Sequence, residues 1–236
     1  MLKVFVLGLI STCLISCDVS NLAGPESFRV KEPSLGSVFT YITQQIDRNS
    51  AVVSGTESQY VETVIAVDTT LSGKNGVYVV KGEYPNPPNA PYILMSYYFI
   101  DDNQDIQWRY DGGGTYSWVR IPITTLAETI DTAYGKVDYQ SGKKADMRNI
   151  YTYTYIGDET ITVDTMSIVT RKFRASMQYR VTFNGTELYK GVSESTLHYA
   201  PYLGMMVQST SPATYEAGTN TWNNGYKTSL KIIVVK

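Results

Sequence analysis

The chain has 236 residues, with 20 Lys and Arg against 22 Asp and Glu and a formal net charge of −2. This balance argues against a nucleic-acid-binding protein, which would present a strongly basic face. One histidine and two cysteines, both among the first 17 residues, cannot supply the ligands of an ordinary zinc site, and the length suits one large β domain or two small ones.

The chain begins with a short apolar run that is typical of a secretory signal. Lys3 precedes an apolar stretch over residues 4–15, far shorter than the roughly 20 residues of a membrane-spanning helix. Such a run forms the apolar part of a signal peptide, which is cleaved and takes no part in the fold. The sequence Leu-Ile-Ser-Cys resembles the bacterial lipobox, in which cleavage falls between a small residue, here Ser16, and the cysteine. We predict that residues 1–16 are removed and that Cys17 is lipidated.

The lipobox resemblance implies a location. In such lipoproteins a diacylglycerol is attached to the cysteine thiol, and two or three acyl chains make an effectively permanent anchor. We therefore expect a bacterial cell-envelope protein held in the membrane by its lipid, with the outer membrane favoured. Asp18 resembles the inner-membrane retention signal of some Gram-negative bacteria, so the inner membrane stays open. Since Cys13 leaves with the signal and Cys17 becomes a thioether, the mature chain is expected to lack disulfides.

The mature chain divides into a tether and a β domain. Residues 17–34 hold the lipidated cysteine and a polar stretch with Gly24 and Pro25 but no periodicity, which is typical of a flexible tether. Residues 35–236 are rich in Thr, Val and Tyr, with turn signals about every ten residues. Because the runs VYVV and ILMSYYFI are apolar on both faces, the sheet must curl or stack. We predict an all-β fold: one large antiparallel domain of about eleven strands, either a curled half-barrel or a sandwich.

Individual strands follow from local pattern. Residues 35–46 have apolar side chains at helical spacing, but their β-branched and aromatic content favours a strand. Residues 58–70 and the following VYVVKGEY predict a hairpin joined by SGKNG, and residues 91–100 pair in the same way with IQWRY. Residues 125–134 are ambiguous between helix and strand.

The clearest strand covers residues 172–183. Its apolar side chains occupy alternate positions: Phe173, Ala175, Met177, Tyr179, Val181 and Phe183. Such alternation predicts one buried and one solvated face. Asn184 and Gly185 suit the two positive-φ positions of a type I′ turn, which predicts that Val181 pairs with Leu188.

Three segments resemble a family of uncharacterised, β-rich lipoproteins of the bacterial cell envelope. KEPSLGSVFTYITQQID resembles their P-L-x-x-G-x-x-W-x-Y opening, with Phe39 in place of Trp. YIGDETITV and FRASMQYRVTFNGTELYKG resemble their central hairpin, and HYAPYLGMMVQS resembles their late Y-A-P-x-x-G-x-V strand. The resemblance implies the β architecture and the envelope location. Some relatives look like periplasmic lipoprotein carriers, in which a concave half-barrel face holds acyl chains, and that would imply a hydrophobic groove here.

Aromatic side chains are the first candidates for a binding site. Tyr151, Tyr153 and Tyr155 share one face of a predicted strand, and Trp108 and Trp118 flank a Gly-rich loop. An exposed ladder of this kind could stack on sugars or hold a partner protein. The favoured interpretation is structural, with each ring packed on a half-buried sheet face.

Metal and catalytic motifs are weak. Asp101, Asn103 and Asp105 occupy the first three ligand positions of a calcium loop, but its required glycine and final glutamate are absent. An acidic hairpin tip that favours solubility is the simpler interpretation. His198 is read as a strand residue, because no G-x-S-x-G elbow accompanies it. We expect no cofactor.

These observations favour a non-catalytic, lipid-anchored envelope module that binds a ligand or partner, with membrane contact through its N-terminal lipid. The expected partners are a glycan, a lipid or an envelope protein, and not nucleic acid. A periplasmic carrier or sensor of a hydrophobic ligand is one alternative. A glycan-active enzyme with unrecognised carboxylates is another, because such carboxylate pairs are defined by their spatial separation.

The lipobox makes a direct prediction about Cys17. Mass spectrometry of native protein should find a mature chain that begins at an acylated Cys17, and Cys17→Ser should abolish both acylation and membrane retention. Cys13→Ser is the matched control and should change neither, since that residue leaves with the signal. An unmodified Cys17 thiol, or a leader still attached, would contradict the prediction.

Overall fold

The computed structural model describes residues 33–84, 93–101, 105–110, 117–123, 126, 128–139, 142–201, 205–216 and 219–235. The predicted signal peptide and lipidated cysteine, and the tether as far as residue 32, lie outside these described residues. Within the described ranges, no helix has the length and apolar character needed to cross a membrane.

The described chain is built from strands. They are β1 (Val38–Ile46), β2 (Ser58–Leu71), β3 (Lys74–Glu83), β4 (Ile93–Ile100), β5 (Ile106–Tyr110), β6 (Val119–Ile121), β7 (Thr129–Asp138), β8 (Lys144–Val163), β9 (Met166–Phe183), β10 (Thr186–Ala200), β11 (Met205–Ser211), β12 (Thr214–Glu216), β13 (Thr221–Asn223) and β14 (Gly225–Val234). Twelve form one sheet, in the order β6-β5-β4-β3-β2-β1-β14-β11-β10-β9-β8-β7, and β12 pairs separately with β13. The all-β, antiparallel prediction is confirmed, with one more strand in the main sheet than the eleven expected.

The two edge strands of this sheet come together. The backbone N–H of Ser117, just before β6, donates to the carbonyl of Tyr134 on β7 at 3.0 Å. The N–H of Tyr134 donates to the Ser117 hydroxyl at 2.8 Å, and the N–H of Arg120 donates to the Asp131 carboxylate at 2.8 Å. The sheet is therefore curled into a nearly closed, barrel-like form, and of the two predicted arrangements the curled one is confirmed.

The predicted hairpins are present, with one error of register. β2 pairs with β3 and β4 with β5, and of the ambiguous stretch 125–134 the residues 129–134 belong to strand β7. Asn184 and Gly185 have φ values of 49° and 79°, as the predicted turn requires. The predicted pairing of Val181 with Leu188 is wrong, because Leu188 is the extra residue of a β-bulge and Val181 pairs with Tyr189.

The curled sheet encloses two groups of buried side chains. The first contains Phe39, Tyr41, Val64, Val80, Val163, Ile168, Ala200, Met205, Val207 and Leu230. The second contains Ile106, Ile121, Ile123, Tyr153, Phe173, Ala175 and Tyr199. Tyr98 packs against both groups. The alternation predicted for β9 is confirmed, because Phe173 and Ala175 are buried while Arg174 between them is exposed.

Candidate functional site

A cavity lies where the two buried groups meet. Its volume is about 300 Å³, at the lower end of the range of small-molecule sites. The walls consist of Tyr41, Thr43, Tyr60, Glu62, Tyr84, Tyr98, Ile106, Trp108, Ile121, Tyr199, Met205, Met206 and Thr228. These residues come from both halves of the curled sheet, so the cavity exists only because the sheet bends around it. We call it the Glu62 cavity.

Glu62 is the unusual member of this lining. Alternation along β2 points Tyr60, Glu62 and Val64 toward the interior, and Val64 is 1% exposed. Glu62 itself is only 8% exposed, although a carboxyl group is rarely buried without a basic partner. Its neighbours across the sheet are Phe39 on β1 and Gly82 on β3. A titratable group thus occupies a position that would normally hold an apolar side chain.

Tyr60 reaches Glu62 because Gly82 has no side chain. A Cβ atom at Gly82 would collide with the phenol ring and hydroxyl of Tyr60, so only glycine permits the ring to cover this position. The Tyr60 hydroxyl then donates to Glu62 Oε1 at 3.2 Å. Ring centroids of Tyr41 and Tyr84 lie 6.1 Å and 4.9 Å from that of Tyr60. The carboxyl group is consequently framed by phenol rings.

Burial controls the ionisation of this cluster. Loss of solvent raises the pKa of Glu62 to about 7, against the opposing effect of the hydrogen bond from Tyr60. Burial, followed by the nearby charge of Glu62, also raises the pKa values of Tyr41 and Tyr98, and burial raises that of Tyr199. The tyrosines therefore stay neutral at physiological pH, while Glu62 changes charge there.

Two further sets of polar groups in the wall are bonded within the protein. The Tyr41 hydroxyl donates to the carbonyl of Met206 at 3.1 Å, which fixes the phenol ring across the sheet. The hydroxyls of Thr43 and Thr228, both half-buried, lie 2.9 Å apart. These bonds hold the cavity wall in shape without using the Glu62 carboxyl.

The structure places the predicted aromatic residues on the inside of the sheet. Trp108 lines the Glu62 cavity and also a second cavity of about 200 Å³ that Tyr151 borders. Tyr153 is 4% exposed, and its ring is nearly parallel to that of Tyr151 at 6.3 Å. Tyr155 packs edge-on against Phe173. The tyrosine ladder thus faces the interior and supplies core and cavity wall.

Trp118 packs against Phe99, outside that ladder. Its ring meets the ring of Phe99 edge-on, with centroids 5.0 Å apart and an interplanar angle of 84°. Such T-shaped pairs are a favourable geometry for aromatic rings. Trp118 does not line the Glu62 cavity among the described residues.

The two described residues of the calcium candidate are engaged by protein donors. The Asp101 carboxylate accepts from the N–H of Asp105 at 3.0 Å and from Gln107 Nε2 at 2.8 Å. Asp105 is 2% exposed, with its carboxylate 3.7 Å from the Arg120 guanidinium. Asn103 lies outside the described residues. Over the described ranges, no three His, Cys, Asp or Glu side chains are grouped as a metal site would require.

His198 belongs to a separate cluster on β8, β9 and β10. It is 3% exposed, and its Nε2 lies 3.2 Å from Glu159 Oε2. The Lys172 ammonium contacts the same oxygen at 2.8 Å, and this hydrogen bond, followed by that of His198, lowers the pKa of Glu159. The arrangement ties neighbouring strands together, and none of its three residues lines the Glu62 cavity.

Sequence reasoning singled out one wall residue, Trp108, and missed Glu62. The signal was present in SQYVETVIAV, where alternation places a glutamate on the same face as Tyr60 and Val64. The alternation along one strand could not show that Tyr98 and Tyr199, from distant strands, lie on the same side of the sheet as Glu62, because their approach depends on the curl of the sheet.

Comparison with known proteins identifies the fold class. No family model matches the chain, and no curated protein matches it in sequence. A solved structure from Parabacteroides distasonis, provisionally described as a lipoprotein, is 12% identical with a TM-score of 0.54, over 86% of this chain and 97% of that one. A second, from Bacteroides fragilis, is provisionally described as an exported protein with a YmcC-like fold; it is 11% identical with a TM-score of 0.54, over 86% of this chain and 98% of that one. The domain therefore shares the YmcC-like fold.

Glu62 should make stability fall as pH rises. The pKa of Glu62 in the folded protein is about 7, above its ordinary value of 4.5. The contribution of Glu62 to the free energy of unfolding is therefore intact below pH 4.5 and lost by about pH 7, a change of about 3 kcal/mol. We expect the unfolding free energy of wild type minus that of Glu62→Gln to fall by this amount in denaturant titrations.

Glu194→Gln provides the control, since Glu194 is exposed on β10. Its difference from wild type should stay within about 0.5 kcal/mol at every pH. A wild-type minus Glu62→Gln difference that is flat between pH 4.5 and 8 would contradict the assignment.

Proposed function

We propose that this protein is a lipid-anchored lipoprotein of the bacterial envelope, in which the β domain binds a small ligand in the Glu62 cavity without transforming it. The lipobox at Cys17 and the fold shared with proteins described as a lipoprotein and as an exported protein support the envelope location. Outer-membrane attachment is the favoured form, and Asp18 leaves the inner membrane as the alternative.

The observation that carries the proposal is a hollow between two otherwise packed groups. The space between Tyr60, Tyr98 and Tyr199 has a volume of about 300 Å³, and half-buried wall residues such as Thr43 and Thr228 leave it open to solvent. Concave, mostly apolar hollows of this size with a few polar groups are the usual form of small-molecule sites. The role is then that of a carrier or sensor, with the ligand held inside the curled sheet.

The acid–base content of the cavity supports binding over catalysis. Glycoside hydrolysis ordinarily uses two carboxyl groups that flank the scissile bond. Among the described lining residues, Glu62 is the single acidic side chain. A glycan-active enzyme is therefore the weaker alternative.

The proposal predicts that blocking the cavity removes a bound molecule. Thr228→Trp adds a bulky ring to the half-buried wall, whereas Thr186→Trp places the same ring on the exposed start of β10. We expect mass spectrometry of denatured, detergent-extracted protein to detect a small molecule released from wild type and Thr186→Trp but not from Thr228→Trp. No released molecule from wild type, or equal release from both variants, would contradict ligand binding in the cavity.

A further inference from the structure

We propose that the Glu62 cavity takes a small alkylammonium cation, with a quaternary or primary ammonium group held against Glu62 and its alkyl groups against the aromatic wall. This inference rests on the proposed function and names its ligand class. It follows from charge, ring placement and volume, taken in turn.

The Glu62 carboxylate has no cationic partner in the described wall of the cavity. No Lys, Arg or His side chain lines the cavity among the described residues. Lys81 is close to Glu62 along the sheet, but alternation places it on the opposite face from Gly82, where its ammonium pairs with Glu83 at 2.7 Å. The Tyr60 hydroxyl supplies a hydrogen bond and no charge. A cation is the complement that the described wall of the cavity lacks.

The wall of the cavity is mostly aromatic. Five tyrosines and one tryptophan line the cavity together with Glu62: Tyr41, Tyr60, Tyr84, Tyr98, Trp108 and Tyr199. Aromatic faces attract cations through their ring quadrupole, and cages of such rings are a recurrent way to bind quaternary ammonium groups. Alkyl groups on the nitrogen would contact the same rings and the side chains of Ile106 and Met205. An inorganic cation would leave most of this apolar surface without a partner.

The charge and volume of the cavity also distinguish a free alkylammonium ion from the headgroup of a phospholipid. A phosphate beside the ammonium group would lie in a wall with no basic residue among those described, and next to the Glu62 carboxylate. Burying an unpaired phosphate in that setting is unfavourable. The cavity volume of about 300 Å³ also matches a compact molecule. We therefore assign the site to a free small alkylammonium ion and not to a lipid headgroup.

Protonation of Glu62 should control this binding. The titratable side chains that line the cavity with Glu62 are those of Tyr41, Tyr60, Tyr84, Tyr98 and Tyr199. Burial raises the pKa values of Tyr41, Tyr98 and Tyr199, which keeps these three phenols neutral near pH 7. Only Glu62 therefore switches the local charge, and the cation requires its ionised form. Affinity should fall roughly tenfold between pH 8 and pH 6.

Calorimetric titration of the mature, lipid-anchored protein in nanodiscs tests the inference, with choline as the probe. The neutral isostere 3,3-dimethylbutan-1-ol has the same shape without charge. We expect choline to bind wild type and Glu194→Gln alike, to lose at least about tenfold in affinity with Glu62→Gln, and to bind more weakly at pH 6. The isostere should be insensitive to pH and to Glu62→Gln.

A rim variant gives a second readout that does not depend on Glu62. Tyr84 follows β3 and is only partly buried, so Tyr84→Leu should fold. Loss of its ring should weaken choline about two- to fivefold and the isostere less. Glycerophosphocholine tests the phospholipid source, and tighter binding of it than of choline would overturn the assignment to a free alkylammonium ion.

The outcomes separate the ligand class from the proposed function. Equal affinity for choline and the isostere, unchanged by Glu62→Gln, would overturn the cation and leave an apolar ligand cavity intact. Binding of neither probe would overturn the cation as well. The cavity ligand itself would be removed by the other experiment, if wild type released no molecule or if Thr228→Trp and Thr186→Trp released equal amounts.

Discussion

The interior of this protein depends on one constraint: a single twelve-stranded sheet bends until its edge strands meet near Ser117 and Tyr134. A sheet that curls on itself must fill its concave side with its own side chains. Here the filling forms two packed groups, and the large tyrosines at their junction leave a gap. The cavity is thus a consequence of how the sheet closes.

Glu62 gives that gap its chemical character. Among the described residues of the wall Glu62 has no basic partner, so it is costly to ionise, and the effect is a pKa of about 7. The hydrogen bond from Tyr60 opposes the cost without removing it. An arriving cation would relieve the remainder, so the same feature that lowers stability at high pH would strengthen binding. Trade-offs of this type are common where function and stability compete.

Much of the fold can be predicted from the sequence, because alternation and turn residues are local signals. The strand over residues 172–183 and the Asn184–Gly185 turn are examples. The β-bulge at Leu188 was not predicted, because one extra residue in a strand does not change the local composition. The cavity could not be predicted in the same way. Tyr98 and Tyr199 join Glu62 in the cavity wall only after distant strands come together. The alternation around Tyr153 showed that the tyrosines share one face of a strand, but not whether that face lies inside or outside the sheet.

The most direct test of this account is the ¹³C shift of the Glu62 side-chain carboxyl, followed against pH with and without choline. The account predicts a titration midpoint near 7 in the free protein and a lower midpoint when choline is bound, because the cation favours the ionised form. A midpoint near the ordinary value of 4.5, or one that choline leaves unmoved, would contradict it.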